Sequence, residues 1–280
     1  MKSPLILNLA PTGMVPTRSM SPHVPLSPAE IADDCARCVD LGVSMLHLHA
    51  RDDDGVPTTD GAVFADIIRA VRRRAPGAVI TATTSGRNVG DVLQRATALF
   101  GEDDAKPDMA SLTLSSLNFA RSASVNSPDT IFRLAELMME RGIRPELEVF
   151  DLGMVNMAHI LIDKGLIKPP YYFNLLLGNP SSAQARLLHL GTLVADLPEQ
   201  SVWSTAGLGR FQTTASALGV TLADGVRTGL EDNLWFDDER SQPATNPMLV
   251  QRVRAMAEAQ GRAIASTAQT RARLGLAAHE

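Results

Sequence analysis

Cysteine is scarce: the 280 residues carry only two, Cys35 and Cys38. That is too few for a disulfide framework. Their CxxC spacing is one that metal and redox sites use, but they fall inside Pro28–Gly42, whose apolar spacing is helical. Helix packing in a reducing cytoplasm is therefore the expectation. An excess of positive charge is also lacking: 26 Lys and Arg stand against 31 Asp and Glu, giving a net charge of -5 and a pI of about 5.7. This balance argues against a nucleic-acid surface. The one basic run, Arg72-Arg73-Arg74, reads as a solvated helix end. No apolar run approaches the roughly 20 residues of a membrane helix. The opening Met1–Asn8 is too short and too soon polar for a secretory signal. There is no Pro-, Gly- or Ser-rich linker, no sequence repeat and no low-complexity tract, so one domain over 1–280 is expected. That length is ordinary for an α/β barrel.

What is present is alternation. Short apolar segments at Leu5–Leu9, Met45–His49, Val79–Thr83, Met109–Thr113, Glu146–Phe150, Tyr172–Leu176, Ser201–Thr205 and Gly225–Thr228 read as strands. Helical patterns lie between them at 29–41, 62–74, 90–99, 128–141, 154–165, 183–195 and 210–218, and another follows at 247–260. Strand–helix alternation implies a parallel sheet, and eight repeats in one domain length favour a closed (β/α)₈ TIM barrel over an open sheet.

The strands carry a second pattern. Thr81, Thr83 and Ser85 share one parity, as do Ser111, Thr113 and Ser115, then Glu146 and Glu148, then Arg227, Gly229 and Glu231. The outer face of a barrel strand meets helices and must be apolar, so these groups predict a polar lumen near the C-terminal mouth, where barrel active sites form. Unpaired buried polar groups cost kilocalories, and a purely structural barrel would not carry them.

His47 and His49 project to one side of the second strand, roughly 7 Å apart at their Cα atoms. Two imidazoles so placed can bind a divalent metal, although such a pair also serves simply to satisfy buried hydrogen bonds. Glu231, at the mouth end of the eighth strand, is the best third ligand, because in a closed barrel that strand lies only two from the second. His159 and His189 fall in helical patterns, His23 in a Pro-rich loop that reads as a lid, and His279 in the tail. Two His and one carboxylate make an open, catalytic type of zinc site. Taken alone, the residues fit a metal-dependent aldolase or hydrolase on such a barrel.

The chain resembles the β-keto acid cleavage enzymes, the family that includes 3-keto-5-aminohexanoate cleavage enzyme. The resemblance is carried by Ala10-Pro11-Thr12-Gly13, by Pro25–Ala32, by His47-Leu48-His49-Ala50-Arg51-Asp52, by Glu148-Val149-Phe150-Asp151 and by Val226–Asn233. It implies a (β/α)₈ barrel, usually tetrameric, with zinc on His47, His49 and Glu231. It implies a reaction in which a β-keto acid and acetyl-CoA give acetoacetate and a new acyl-CoA. Asp232, aided by Arg227, would remove the proton between the two carbonyls, and the carbanion would attack the thioester. Thr83 stands where the family has a serine, Thr113 matches a hydroxyl expected to donate to a substrate oxygen, and Glu148 is expected to order the metal ligands or the arginine. Ser116 and Asn118 follow as pocket residues. Gly207, Gly209 and Arg210 match a loop expected to take CoA phosphates on backbone N–H groups at a helix start. The first loop, Thr12–Arg18, lacks the acidic residue that meets the amino group of an aminohexanoate, so a cationic substrate is not expected. Met14 suggests an apolar tail, while Arg18, Arg87 or Arg121 would suit a second carboxylate; the sequence does not choose among them.

Overall fold

The structure is a computed structural model that describes residues 2–278; His279, read as part of the tail, lies outside the described residues. Eight parallel strands close into a barrel: β1 (Ile6–Leu9), β2 (Met45–Leu48), β3 (Val79–Ala82), β4 (Met109–Thr113), β5 (Arg144–Val149), β6 (Tyr171–Leu177), β7 (Ser201–Gly207) and β8 (Gly225–Thr228). They follow one another round the ring in chain order, and β8 pairs with β1 through Asn8 opposite Arg227.

Side-chain parity sorts the barrel into layers. Leu7, Leu9, Leu46, Leu48, Ile80 and Val226 point outward into one half of the helical coat. Leu112, Leu147, Val149, Phe173, Leu175 and Ala206 point into the other half. Inward at the N-terminal end, Ile6, Met45, Val79, Met109 and Tyr172 pack with Ala265 and Leu274 into an apolar floor. One step toward the mouth the lumen turns polar, with Asn8, His47, Thr81, Ser111, Glu146, Asn174 and Ser204 all buried. Burial of that many polar groups is sustainable only if they pair with one another.

The coat consists of α1 (Pro28–Asp40), α2 (Gly61–Arg74), α3 (Val92–Arg95), α4 (Pro128–Glu140), α5 (Leu152–Asp163), α6 (Leu187–Ala195), α7 (Gln212–Leu222), α8 (Asn246–Ala259) and α9 (Thr267–Arg273). The helix α1 starts in a capping box between Ser27 and Glu30, and its Cys35 and Cys38 are free thiols buried in the coat, as helix packing requires.

Three departures from the sequence reading have local causes. The helix expected over 90–99 is a single turn, α3, followed by a 3₁₀ turn at Thr97–Phe100; the N–H of Ala96 is already shared between the carbonyls of Val92 and Leu93. The helix expected from 183 begins at Leu187, because Ala183 is drawn into backbone bonds with Phe150 and Gly178. The short helix α9 was not anticipated: its sequence has no apolar stripe, although Ser266 and Gln269 form a capping box.

Candidate metal and acid–base site

The site is built where β2 and the turn after β8 meet the mouth. His47 and His49, 1% and 3% exposed, bring their Nε2 atoms to 3.2 Å. The His49 Nε2 lies 3.2 Å from Oε1 of Glu231, and Oε2 of Glu231 lies 4.0 Å from the His47 Nε2. Two ligand atoms each about 2.0–2.1 Å from a tetrahedral zinc stand roughly 3.3 Å apart, so the triad is spaced as a metal would space it. Oε2 of Glu231 is buried and has no hydrogen-bond partner among the described residues, which leaves a lone pair for an ion. The same three side chains are close enough to hold one cation. A second grouping, His47 with Glu146 and Glu148, suits a metal less well because both of its carboxylates already accept hydrogen bonds.

Backbone strain places the carboxylate. Gly229 has φ +147, and a Cβ there would sit 2.1 Å from the Ala10 carbonyl oxygen. Only glycine therefore lets β8 turn over β1 and deliver Glu231. Gly13 has φ +72 and lies so near Glu231 that a Cβ would come within 2.4 Å of its side chain. The neighbouring Arg51 donates to the carbonyls of Gly13, Pro16 and Gly55, pinning the first loop over the ligands. Asp52 accepts the N–H groups of Asp54 and Val56 and shapes the turn. The last two residues of the HxHxRD segment thus hold loops.

Glu146 orients His47. Its Oε2 lies 2.6 Å from the His47 Nδ1, and its Oε1 accepts from Nδ2 of Asn8 at 2.9 Å and of Asn174 at 3.2 Å. A carboxylate on Nδ1 keeps a proton there and turns the Nε2 lone pair to the cavity. Burial and Arg227 disfavour the His47 imidazolium, but Glu146 and Glu231 outweigh them and raise its pKa. Burial lowers the pKa of His49. Burial would raise that of Glu231, but Arg227, His49 and His47 hold it well below the carboxylate range. An anionic carboxylate beside a neutral imidazole is the donor set a dication takes.

Arg227 is the hub of the adjoining cluster and is 2% exposed. Its Nε and Nη2 donate to the two oxygens of Asp232 at 2.9 and 3.0 Å, its Nη2 reaches Glu231 at 2.7 Å, and Nη1 lies 3.6 Å from Glu148. The bidentate fork fixes the plane of the Asp232 carboxylate. Burial, with Glu231 adding, raises the Asp232 pKa even against Arg227, which makes it a stronger base than a carboxylate in water. Burial likewise raises the pKa of Glu148.

A model of the beta-keto acid cleavage enzyme family matches residues 4–276. The chain belongs to that family. It is 35% identical over 277 residues to 3-keto-5-aminohexanoate cleavage enzyme of Fusobacterium nucleatum, covering 99% of both chains. It is 34% identical to 3-oxoadipate:acetyl-CoA acetyltransferase of Cupriavidus necator, covering 100% of this chain and 98% of that one. Among solved structures, a ternary complex of ObcA with a C4-CoA adduct and oxalate superposes with a TM-score of 0.81 over 91% of this chain and 68% of that one; at 24% identity this speaks to the fold alone.

In this family member a cavity of about 470 Å³ opens above the cluster, and His49, Thr83, Thr113, Glu148, Arg227, Glu231 and Asp232 all contribute to its wall. The expected site residues from five different strands therefore converge, with one difference of detail. The Thr113 hydroxyl donates to Glu148 at 2.6 Å, so its hydrogen is not turned toward the cavity as expected. The Thr83 oxygen accepts the N–H of Ser85, which leaves its own hydrogen available. Glu148 serves the arginine, one of the two tasks expected of it, while Glu146 orients His47.

The CoA loop also differs from expectation. The N–H groups of Leu208, Gly209 and Phe211 are already bonded to the carbonyls of Leu177, Asp232 and Leu208, so they do not form a free phosphate cradle. Gly209 instead fastens the backbone of Asp232. Gly207 lies so close to Phe211 that a Cβ would meet its carbonyl oxygen at 2.3 Å. Arg210 is exposed beside the Phe211 ring. Ser116 and Asn118 are engaged with Asn126 and Asn179. His23 and Arg18 line a separate surface hollow, while the His159 ring meets the Asp196 carbonyl and the His189 ring accepts the Gln184 N–H. Asn8 and Asn174 are site-building residues that the sequence did not single out, and Glu146 was legible only as a lumen residue without its His47 partner; the available signal was a polar residue at lumen parity in each strand.

Proposed function

We propose that the protein is a zinc-dependent β-keto acid cleavage enzyme that condenses a β-keto acid with acetyl-CoA to give acetoacetate and a new acyl-CoA. The observation that carries this reading is the junction of a metal-spaced His47–His49–Glu231 triad with a buried Arg227–Asp232 pair at one cavity. His47, His49 and Glu231 would hold the zinc, which supplies Lewis-acid polarisation of the keto acid's oxygens.

This chain's own residues supply the rest. Asp232, raised in basicity and aimed by the Arg227 fork, takes the proton from the carbon between the two carbonyls. That carbon attacks the thioester carbonyl of acetyl-CoA, and the CoA thiolate leaves. The thiolate then adds to the former keto carbonyl, and the bond between that carbonyl and the attacking carbon breaks. The departing carbon, now part of acetoacetate, regains the proton from Asp232. The free hydroxyl hydrogen of Thr83 is placed to stabilise charge on a carbonyl oxygen. Glu148, held by the Thr113 hydroxyl, stands on the Nη1 side of Arg227. Arg210 suits a CoA phosphate by charge and exposure, with Gly207 and Gly209 shaping the loop that presents it.

A tetramer is the assembly we expect from the family resemblance, with one zinc per subunit. The buried free thiols Cys35 and Cys38 fit a reducing cytoplasm. No described helix is long and apolar enough to cross a membrane. Incubating the zinc-loaded protein with acetyl-CoA and a panel of β-keto acids should yield acetoacetate. Turnover that persists when acetyl-CoA is omitted, or a panel with no acetoacetate, overturns the reading.

A further inference from the structure

Three carboxylates line the cavity, Glu148, Glu231 and Asp232, and all three face Arg227. No acid in the wall is left over for a substrate amine. Cations are left over. Arg87 and Arg121 also line the cavity, and neither forms an ion pair among the described residues. Of the two, Arg87 is the built one. It follows Thr83 on the loop after β3, its guanidinium lies 3.7 Å from the centroid of the Phe119 ring, and its Nε is buried without an acceptor among the described residues. A guanidinium stacked on an aromatic face keeps its planar fork free and oriented, which is the geometry that receives a carboxylate through two hydrogen bonds. A buried donor with no acceptor is costly, so a ligand that supplies one is favoured. Arg121 is exposed, and Arg18 is paired with Glu30 outside the cavity. The nearby wall from the first loop, Met14, Val15 and Met20, is apolar and matches a short methylene chain.

Resting on the reading of the site as a β-keto acid cleavage centre, we propose that Arg87 binds the distal carboxylate of the substrate, so that this chain selects short 3-oxo dicarboxylates over keto acids with neutral or cationic tails. Arg87 thereby sets specificity while Arg227 and the metal ligands handle the end where bonds change.

Three six-carbon acids that share the reacting end isolate the tail: 3-oxoadipate, 3-oxohexanoate and 3-keto-5-aminohexanoate. With zinc-loaded protein and acetyl-CoA, kcat/KM should be highest for 3-oxoadipate and lowest for the amino acid. Arg87→Gln should lose roughly 100-fold on 3-oxoadipate, mainly in KM, while 3-oxohexanoate and the KM for acetyl-CoA change little; Arg87→Lys should recover part of the loss. Calorimetry without acetyl-CoA gives a second readout, in which 3-oxoadipate binds more tightly than 3-oxohexanoate and Arg87→Gln abolishes the difference. Equal binding of these two acids by the parent protein overturns the inference, as does an equal loss on both in Arg87→Gln or a raised KM for acetyl-CoA. Acetoacetate formed without any preference for the dicarboxylate leaves the proposed function standing and sinks the role of Arg87. Arg87-dependent binding without acetoacetate does the reverse.

Discussion

At the scale of single residues, the proposed function divides the site between holding a metal and moving a proton. His49 touches Glu231 and His47, so His49→Ala should leave a protein that no longer retains stoichiometric zinc, measured by metal analysis after dialysis. Asp232 touches Arg227 and not the ligand nitrogens. Asp232→Asn should therefore keep its zinc while kcat falls roughly 10²–10⁴-fold, the usual worth of a general base; a fully active variant would show that another group takes the proton. Glu146 lies one shell out, and its two oxygens have different tasks. One accepts from His47 and the other from two asparagine amides. An amide cannot accept on both sides, so Glu146→Gln must turn an N–H₂ toward a donor. Its zinc affinity should fall about 10–100-fold, the usual effect of losing a partner that orients a metal-bound histidine, as read by competition with a chelating dye.

At the scale of elements, the N-terminus of α1 shows how a cap depends on pH. Burial acts against the Glu30 carboxylate, but the Arg18 guanidinium and the N–H groups of Ser27 and Leu26 together outweigh it and hold its pKa down to about 2. A depressed carboxylate contributes stability above its unfolded pKa of about 4.3 and loses it as pH falls toward the folded value. Because both side chains are over two-fifths exposed, the pair is worth no more than about 1 kcal/mol. Urea unfolding of the parent and Glu30→Gln should show a gap of that order at pH 7 that closes between pH 4.5 and pH 2; a constant gap would assign the effect to packing. Legibility from sequence is also an element-scale matter. Short apolar segments alternating with helical patterns exposed all eight strands, and the parity of polar residues within several of them exposed the polar lumen, because a strand's period of two is local. The helix α9 was hidden because Thr267–Arg273 buries little of an apolar stripe and shows itself only by its cap. Glu146 was visible as a lumen residue, yet its partner was not. Along the ladder His47 pairs with Thr81, Thr81 with Met109 and Met109 with Arg144. Glu146 stands two residues beyond that level and meets His47 only through the tilt of barrel strands, a global quantity that no segment records. For the same reason the sequence left Arg18, Arg87 and Arg121 equivalent, while the folded chain sends only Arg87 and Arg121 to the cavity and stacks one of them.

At the scale of the whole molecule, the proposed metal ligands join the two ends of the barrel's closure. His47 and His49 belong to β2 and its end, Glu231 follows β8, and β1 runs between them. Without an ion, two imidazole nitrogens 3.2 Å apart need a proton on at least one of them, and a buried carboxylate oxygen has no partner among the described residues. An ion that replaces the proton and takes up the free oxygen binds the folded chain and not the unfolded one, so it adds stability by mass action, about 2.7 kcal/mol at a free concentration 100 times Kd. For a chain of this size each kcal/mol moves Tm by about 2–4 °C. Scanning calorimetry of dialysed protein should therefore show Tm rising several degrees on adding zinc and falling again with excess chelator. The ion's contribution must run through the three ligands, so His49→Ala should give one Tm with or without zinc. A variant whose Tm still rises as far as the parent's would place the ion elsewhere and remove His49 from the ligand set, whereas a parent with no zinc-dependent shift would mean that the closure between β2 and β8 needs no metal to hold it.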